Sequence, residues 1–170
     1  MRSRRACWWF ASNSIPARVK LRKEGNMFTE QLQERDSIAL SIFPQSAVAG
    51  TYTTGGVDAS KFHRTGFILK VGSVGAAGTV SAKLQESTDD VTYTDIASSS
   101  ITTITASNKV ATLELAAGSP QMTKRYIRLS VTVAVNAVLI DATPIGTEAR
   151  YKKQTSDDAS VTQRLVVPVS

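Results

Sequence analysis

The chain has 170 residues, and its net charge of +6 is not spread evenly along it. Arg2, Arg4, Arg5, Arg18, Lys20, Arg22 and Lys23 stand against Glu24 alone in residues 1–26, while the remaining 13 basic and 13 acidic side chains cancel over residues 27–170. That distribution excludes reading the basic isoelectric point as a nucleic-acid footprint, which requires basic residues grouped on a folded surface. A single Cys and a single His exclude a disulfide framework and a four-ligand His/Cys metal site.

Residues 1–26 read as a basic leader. The apolar run Ala6–Ala11, with both tryptophans (Trp8, Trp9) and Cys7, is shorter than a secretory signal requires, and the segment turns basic again at Arg18–Lys23. A membrane span needs about 20 apolar residues, and no stretch of the chain offers them. Clustered Arg and Lys also suit an arm that attracts phosphate or anionic lipid. The preferred expectation is that the leader is not translated in the native protein and that synthesis starts at Met27. Lys23-Glu24-Gly25 can be encoded by a purine-rich run suited to bacterial ribosome binding, and composition changes at Met27.

Residues 27–153 form one expected domain, and residues 154–170 a C-terminal arm. A body of this size buries enough surface to fold without staples, and with no cysteine after Cys7 it fits a protein assembled in the cytosol. Gln31–Arg35 can make one helical turn, but no helical stripe is sustained. Asp58–Phe62 reads as a short helix or turn.

Strand signals dominate from there. Phe67, Leu69 and Val71 share one face. Gly72–Gly78 is a flexible connection whose glycines are expected to supply positive φ. In Thr79–Gln85, Val80, Ala82 and Leu84 alternate with Ser81, Lys83 and Gln85. Ser87-Thr88-Asp89-Asp90 reads as a hairpin turn before a strand over Val91–Ile96. Ala111, Leu113 and Leu115 form another row, bounded by Ser107-Asn108-Lys109 and Ala117–Pro120. In Arg125–Val133, Ile127, Leu129, Val131 and Val133 point one way. Val135-Asn136-Ala137 turns the last hairpin, and Val138-Leu139-Ile140 reads as a strand covered on both faces. Period-two alternation means one wet and one dry face. About eight such strands at even spacing predict an all-β, antiparallel two-sheet sandwich of jelly-roll type, with irregular N- and C-terminal arms.

After Pro144 the pattern loosens. Polar Gln154–Ser160 leads to the apolar close Leu165-Val166-Val167-Pro168-Val169. Such a tip is either a strand returning to its own sheet or an arm that pairs with a neighbour's edge. The arm is preferred because the linker is long and charged.

Chemistry is scarce. His63, in Phe62-His63-Arg64, would have to carry any acid–base or triad argument, and no G-x-S-x-G elbow accompanies it. It reads as a histidine at the start of a strand. Asp89, Asp90 and Asp95 offer oxygens to calcium but lack the spacing and ligand count of a recognised loop. No phosphate-binding glycine motif is present. No catalytic, cofactor-binding or metal residue is therefore expected, and no enzyme. Tyr52, Tyr93, Tyr126 and Tyr151 are the tyrosines, with Tyr93 read as a partly exposed aromatic on the strand face opposite Ile96.

One hairpin carries a resemblance. Gly78–Ile96, with Leu84-Gln85-Glu86-Ser87-Thr88-Asp89 followed by Tyr93 and Asp95-Ile96, resembles a hairpin of small β-sandwich virion proteins of tailed bacteriophages. Lys124–Val131 followed by Ala149-Arg150-Tyr151 is similar in texture, so the resemblance spans residues 38–152. It implies a structural protein that decorates or cements the capsid lattice. Its partners would be major capsid protein and copies of itself in a homo-oligomer, without specific nucleic acid or membrane, in a virion assembled in the bacterial cytoplasm. The alternative is a carbohydrate- or surface-binding sandwich module of a phage tail or fibre, with Tyr93 or Tyr52 as its platform.

Overall fold

The computed structural model describes residues 32–116, 118–151, 157–163 and 165. The leader, residues 152–156 (which include the start of the polar linker) and most of the apolar tip lie outside these residues. One helical turn, α1 (Leu32–Arg35), precedes ten strand segments: β1 (Ser37–Ile38), β2 (Ile42–Ala47), β3 (Gly50–Thr53), β4 (Val57–Asp58), β5 (Phe62–Val74), β6 (Thr79–Ser87), β7 (Thr94–Asp95), β8 (Lys109–Ala116), β9 (Tyr126–Ala134) and β10 (Val138–Ala149). They make two antiparallel sheets. In the first, β1 and β2 share one side of β10, followed by β5 and β8; in the second, β3 and β4 share one side of β9, followed by β6 and β7. The chain is an all-β two-sheet sandwich. The ten segments lie on eight tracks, because two tracks are each broken once.

A single residue explains one of those breaks. Proline has no N–H to donate to a ladder, and Pro144 lies in the interior of β10. Ile38 pairs with Ile145, and Ile42 with Ala142. The gap between β1 and β2 therefore falls opposite Pro144, whose carbonyl accepts from Ala39 N at 3.2 Å. The strand continues through the proline to Ala149, where the sequence pattern had loosened.

The core is the meeting of the alternating rows. Phe67, Leu69 and Val71 of β5 and Val138, Ile140 and Ala142 of β10 face Val80, Ala82 and Leu84 of β6 and Ile127, Leu129, Val131 and Val133 of β9, all buried. Leu113 and Leu115 of β8 close one side. At roughly 1.5–3 kcal/mol for burying each large aliphatic or aromatic side chain, these rows are the main source of stability.

Four local expectations are corrected. Val135-Asn136-Ala137 turns no hairpin, since it carries the chain from β9 in one sheet to β10 in the other. Val138-Leu139-Ile140 is not covered on both faces: Leu139 is 43% exposed while its neighbours are buried, because β10 alternates like the other strands. The Val91–Ile96 strand shrinks to Thr94–Asp95. Asp89 accepts from the amides of Val91 and Thr92 at 3.0 and 2.8 Å, which ties the chain into a turn instead. In the Gly72–Gly78 connection the positive φ belongs to Ala77 (57°), not to a glycine. Gly75 is required for close approach: a Cβ there would meet the Ala137 carbonyl at 2.9 Å.

Candidate functional site

The open side of the sandwich lies between β8 and the chain that follows β7. That chain tracks the edge of β6 without forming a regular strand. Ile96 N donates to Leu84 O at 3.0 Å, Ile101 N to Ala82 O at 2.9 Å, and Ile104 exchanges two hydrogen bonds with Val80. Ser99 fills the irregular step: its hydroxyl accepts from Leu84 N at 3.1 Å and donates to Ile96 O at 2.7 Å. The result is a cleft of about 390 Å³ with Leu84, Ile101, Leu113 and Leu115 in its floor and Ser98 and Gln121 among its polar lining.

Beside this cleft stands a buried carboxylate. Glu86, on β6, is 7% exposed. Its oxygens accept from Thr123 N at 2.8 Å, Thr123 Oγ1 at 2.6 Å and Lys124 N at 3.1 Å. Burial pushes its pKa up, but the Thr123 hydroxyl and the two amides outweigh burial and hold it below the usual carboxylate range. Glu86 therefore anchors the loop leading into β9. Its oxygens are committed to that loop, a structural use the sequence did not reveal because the partners are 37 and 38 residues away.

The β6–β7 corner holds the residues weighed for calcium. Asp89 is held near pKa 2 by the Ser87 hydroxyl and then by the Thr92 and Val91 amides. Asp95 is engaged by Lys83 Nζ at 2.6 Å and Gln85 Nε2 at 2.7 Å. Asp90 accepts from the Tyr93 hydroxyl and borders a hollow shared with Asp157 and Asp158. Among the described residues no group of three or more His, Cys, Asp or Glu side chains is arranged to hold a metal ion.

Tyr93 is half-buried, as expected, but in the turn before β7 and not on a strand face, and it has a partner the sequence did not show. The guanidinium carbon of Arg128 lies 3.7 Å from its ring centroid. Burial first, and then the Asp90 carboxylate, raise the Tyr93 pKa well above its ordinary value. Tyr52 is also half-buried, and its hydroxyl donates to Val48 O at 3.1 Å. His63 is exposed near the start of β5.

The C-terminal segment meets its own sheet at β1. Asp158 N donates to Ile38 O at 2.9 Å, and Ile38 N donates to Asp157 Oδ1 at 2.9 Å. Leu165 is 80% exposed, and Val166–Ser170 lie outside the described residues. Among the described residues no helix is long and apolar enough to cross a membrane.

Fold and site together define an antiparallel β-sandwich with a cleft and a regular strand edge on its open side. No protein-family model matches the chain, and no curated protein matches it.

Proposed function

We propose that this protein is a structural component of a phage or prophage particle, attached to the capsid lattice as a decoration, cement or accessory head protein. The observation that supports it best is the path of the chain. Successive tracks alternate between the two sheets at every connection except β6 to β7. This alternation supports reading the sandwich as two Greek keys wrapped into a jelly roll, an architecture used by capsid proteins. The hairpin that carries the phage resemblance is that one exception, β6–β7, and it projects an exposed, hydrogen-bonded corner. The protein acts by contact and not by catalysis. Its partners are major capsid protein and further copies of itself, and its place is the virion, assembled in the bacterial cytoplasm.

The test is co-purification with particles. When the protein is expressed with the capsid genes of its source phage or prophage, it should sediment with assembled heads at a fixed copy ratio. Finding it only in the soluble fraction, with heads fully formed, would overturn the reading.

A second reading is favoured by one observation: the cleft pairs an apolar floor with serine hydroxyls on its lining, a composition that suits a sugar ring. In that case the protein is a carbohydrate- or surface-binding module of a tail or fibre. A glycan array separates the two, since selective retention of a glycan class supports only this one.

A further inference from the structure

The β8 edge has no strand beside it among the described residues, and the hydrogen-bond register fixes which of its groups face outward. Ala39 N donates to Pro144 O, so Pro144 turns its backbone groups away from β5. Its opposite number Phe67 therefore turns toward β8, where it pairs with Leu113. The Thr65 hydroxyl, donating to Leu115 O at 3.3 Å, independently places that carbonyl on the β5 side. It follows that Val110, Thr112 and Glu114 direct their N–H and C=O groups outward. An edge with this regular spacing is a template for another strand.

The same chain carries a segment suited to it. Leu165-Val166-Val167-Pro168-Val169 is apolar and β-branched apart from Leu165 and Pro168. Pro168 permits only one phase of antiparallel pairing, the one in which its missing donor faces away from β8. With Val167 opposite Thr112, Leu165 falls opposite Glu114 and Val169 opposite Val110. All three can then exchange backbone hydrogen bonds with the edge. In that phase Val166 and Pro168 lie over Leu113 and Ala111, on the side that lines the cleft.

The donor is a different copy. Asp158 is fastened to Ile38, and Ile38 lies in one row with Ile145, Gly66 and Glu114. A subunit's own tail therefore leaves from the far edge of the sheet. β1, β10 and β5 stand between Asp158 and β8, so the slot beyond β8 lies five strand spacings, about 24 Å, from it. The chain from Asp158 to Leu165, at most about 25 Å even fully extended, has no length left to go round the sandwich. Leu165 already points into solvent at 80% exposure.

We propose that residues 165–169 of one copy add an antiparallel strand to the β8 edge of the next, with Val167 opposite Thr112. Donor and acceptor are different surfaces, so the contact is head-to-tail and generates a ring or a filament. This deepens the reading above and rests on it only for the expectation that copies meet in an assembly.

The test exploits the phase. In the full-length chain, Val167→Pro and Thr112→Pro each remove a donor that faces the joint, whereas Val166→Pro removes one that faces away. Sedimentation velocity over a concentration series should show wild type and Val166→Pro assembling alike. Val167→Pro and Thr112→Pro should associate at least about tenfold more weakly. Hydrogen exchange at the amides of Val110, Thr112 and Glu114 should slow with concentration in wild type and stay fast in Val167→Pro. Circular dichroism and melting confirm that each variant is folded. A monomeric wild type, equal effects of Val166→Pro and Val167→Pro, or β8 amides still protected in Val167→Pro would each overturn the proposal. If a monomer nonetheless sediments with heads, the strand exchange falls and the virion reading stands. If phase-dependent assembly occurs without head binding, the virion reading falls alone.

Discussion

The guanidinium of Arg128, on β9, stacks 3.7 Å from the ring centroid of Tyr93, in the turn after β6. Its Nε also donates to Gln85 Oε1 at 2.9 Å, so one side chain joins β9, β6 and the hairpin corner. A cation over a half-buried ring contributes about 1 kcal/mol. Arg128→Ala and Tyr93→Ala should each lower stability by about 1–2 kcal/mol, whereas Tyr93→Phe, which keeps the ring, should cost less than about 1 kcal/mol. Urea melts of the three variants and of the double alanine variant give the coupling. Strict additivity would show that the stack contributes nothing.

Glu86 gives a second prediction. Glu86→Ala removes the buried acceptor of the Thr123 and Lys124 amides and of the Thr123 hydroxyl, and in a part-buried loop each such hydrogen bond contributes about 0.5–1.5 kcal/mol. The variant should lose about 2 kcal/mol, with faster hydrogen exchange confined to the loop before β9. A uniform change in exchange over the whole sandwich would argue against a local anchor.

The pH dependence follows from Asp58. Its carboxylate accepts from Arg125 Nε at 2.9 Å and Nη2 at 2.7 Å, and that hydrogen-bonded pair lowers its pKa from 3.8 to about 2. A depressed carboxylate stabilises the fold above the unfolded pKa, and this contribution is lost as pH falls through the folded value. Stability should therefore decline between about pH 4 and pH 2, by about 1 kcal/mol from this pair once the exposure of Arg125 is allowed for. Asp89, held near 2 by the Ser87 hydroxyl, acts in the same window. Asp58→Asn should be less stable at pH 6 and should show a shallower decline on acidification.

The core offers a packing test at Gly146. A Cβ there would lie 2.5 Å from ring carbons of Phe62, and Phe62 is itself 3% exposed. Gly146→Ala should cost about 1–3 kcal/mol through overpacking, and Phe62→Leu in the same chain should recover part of the loss. By contrast Gly118, with φ of +82° and open space where its Cβ would be, should lose only about 1 kcal/mol as Ala, from backbone strain alone.

Much of the sandwich was legible in the order of residues, and the reason is local. A strand's side chains alternate at a period of two, so Val80-Ser81-Ala82-Lys83-Leu84 declares its own dry face, as does Ile127–Val133. The misreadings came where a neighbour in space overrode the local pattern. Three apolar residues in succession hid the alternation of Val138-Leu139-Ile140. The side chain of Asp89 captured the amides that a longer β7 would have used. Glycine-rich texture suggested positive φ, whereas the demand at Gly75 is the nearby Ala137 carbonyl.

By itself the sequence determined that this chain makes a β-sandwich, which side chains enter its core, and that its charge excess lies outside the body. Only the tertiary structure decided that β8 would be left at an edge, that a cleft would open beside it, and that Pro144 would face the break between β1 and β2. Burial of alternate side chains is a property of each strand alone. The choice of neighbours is a property of residues far apart, such as Gly66 meeting Glu114 and Ile145, and no local pattern encodes it.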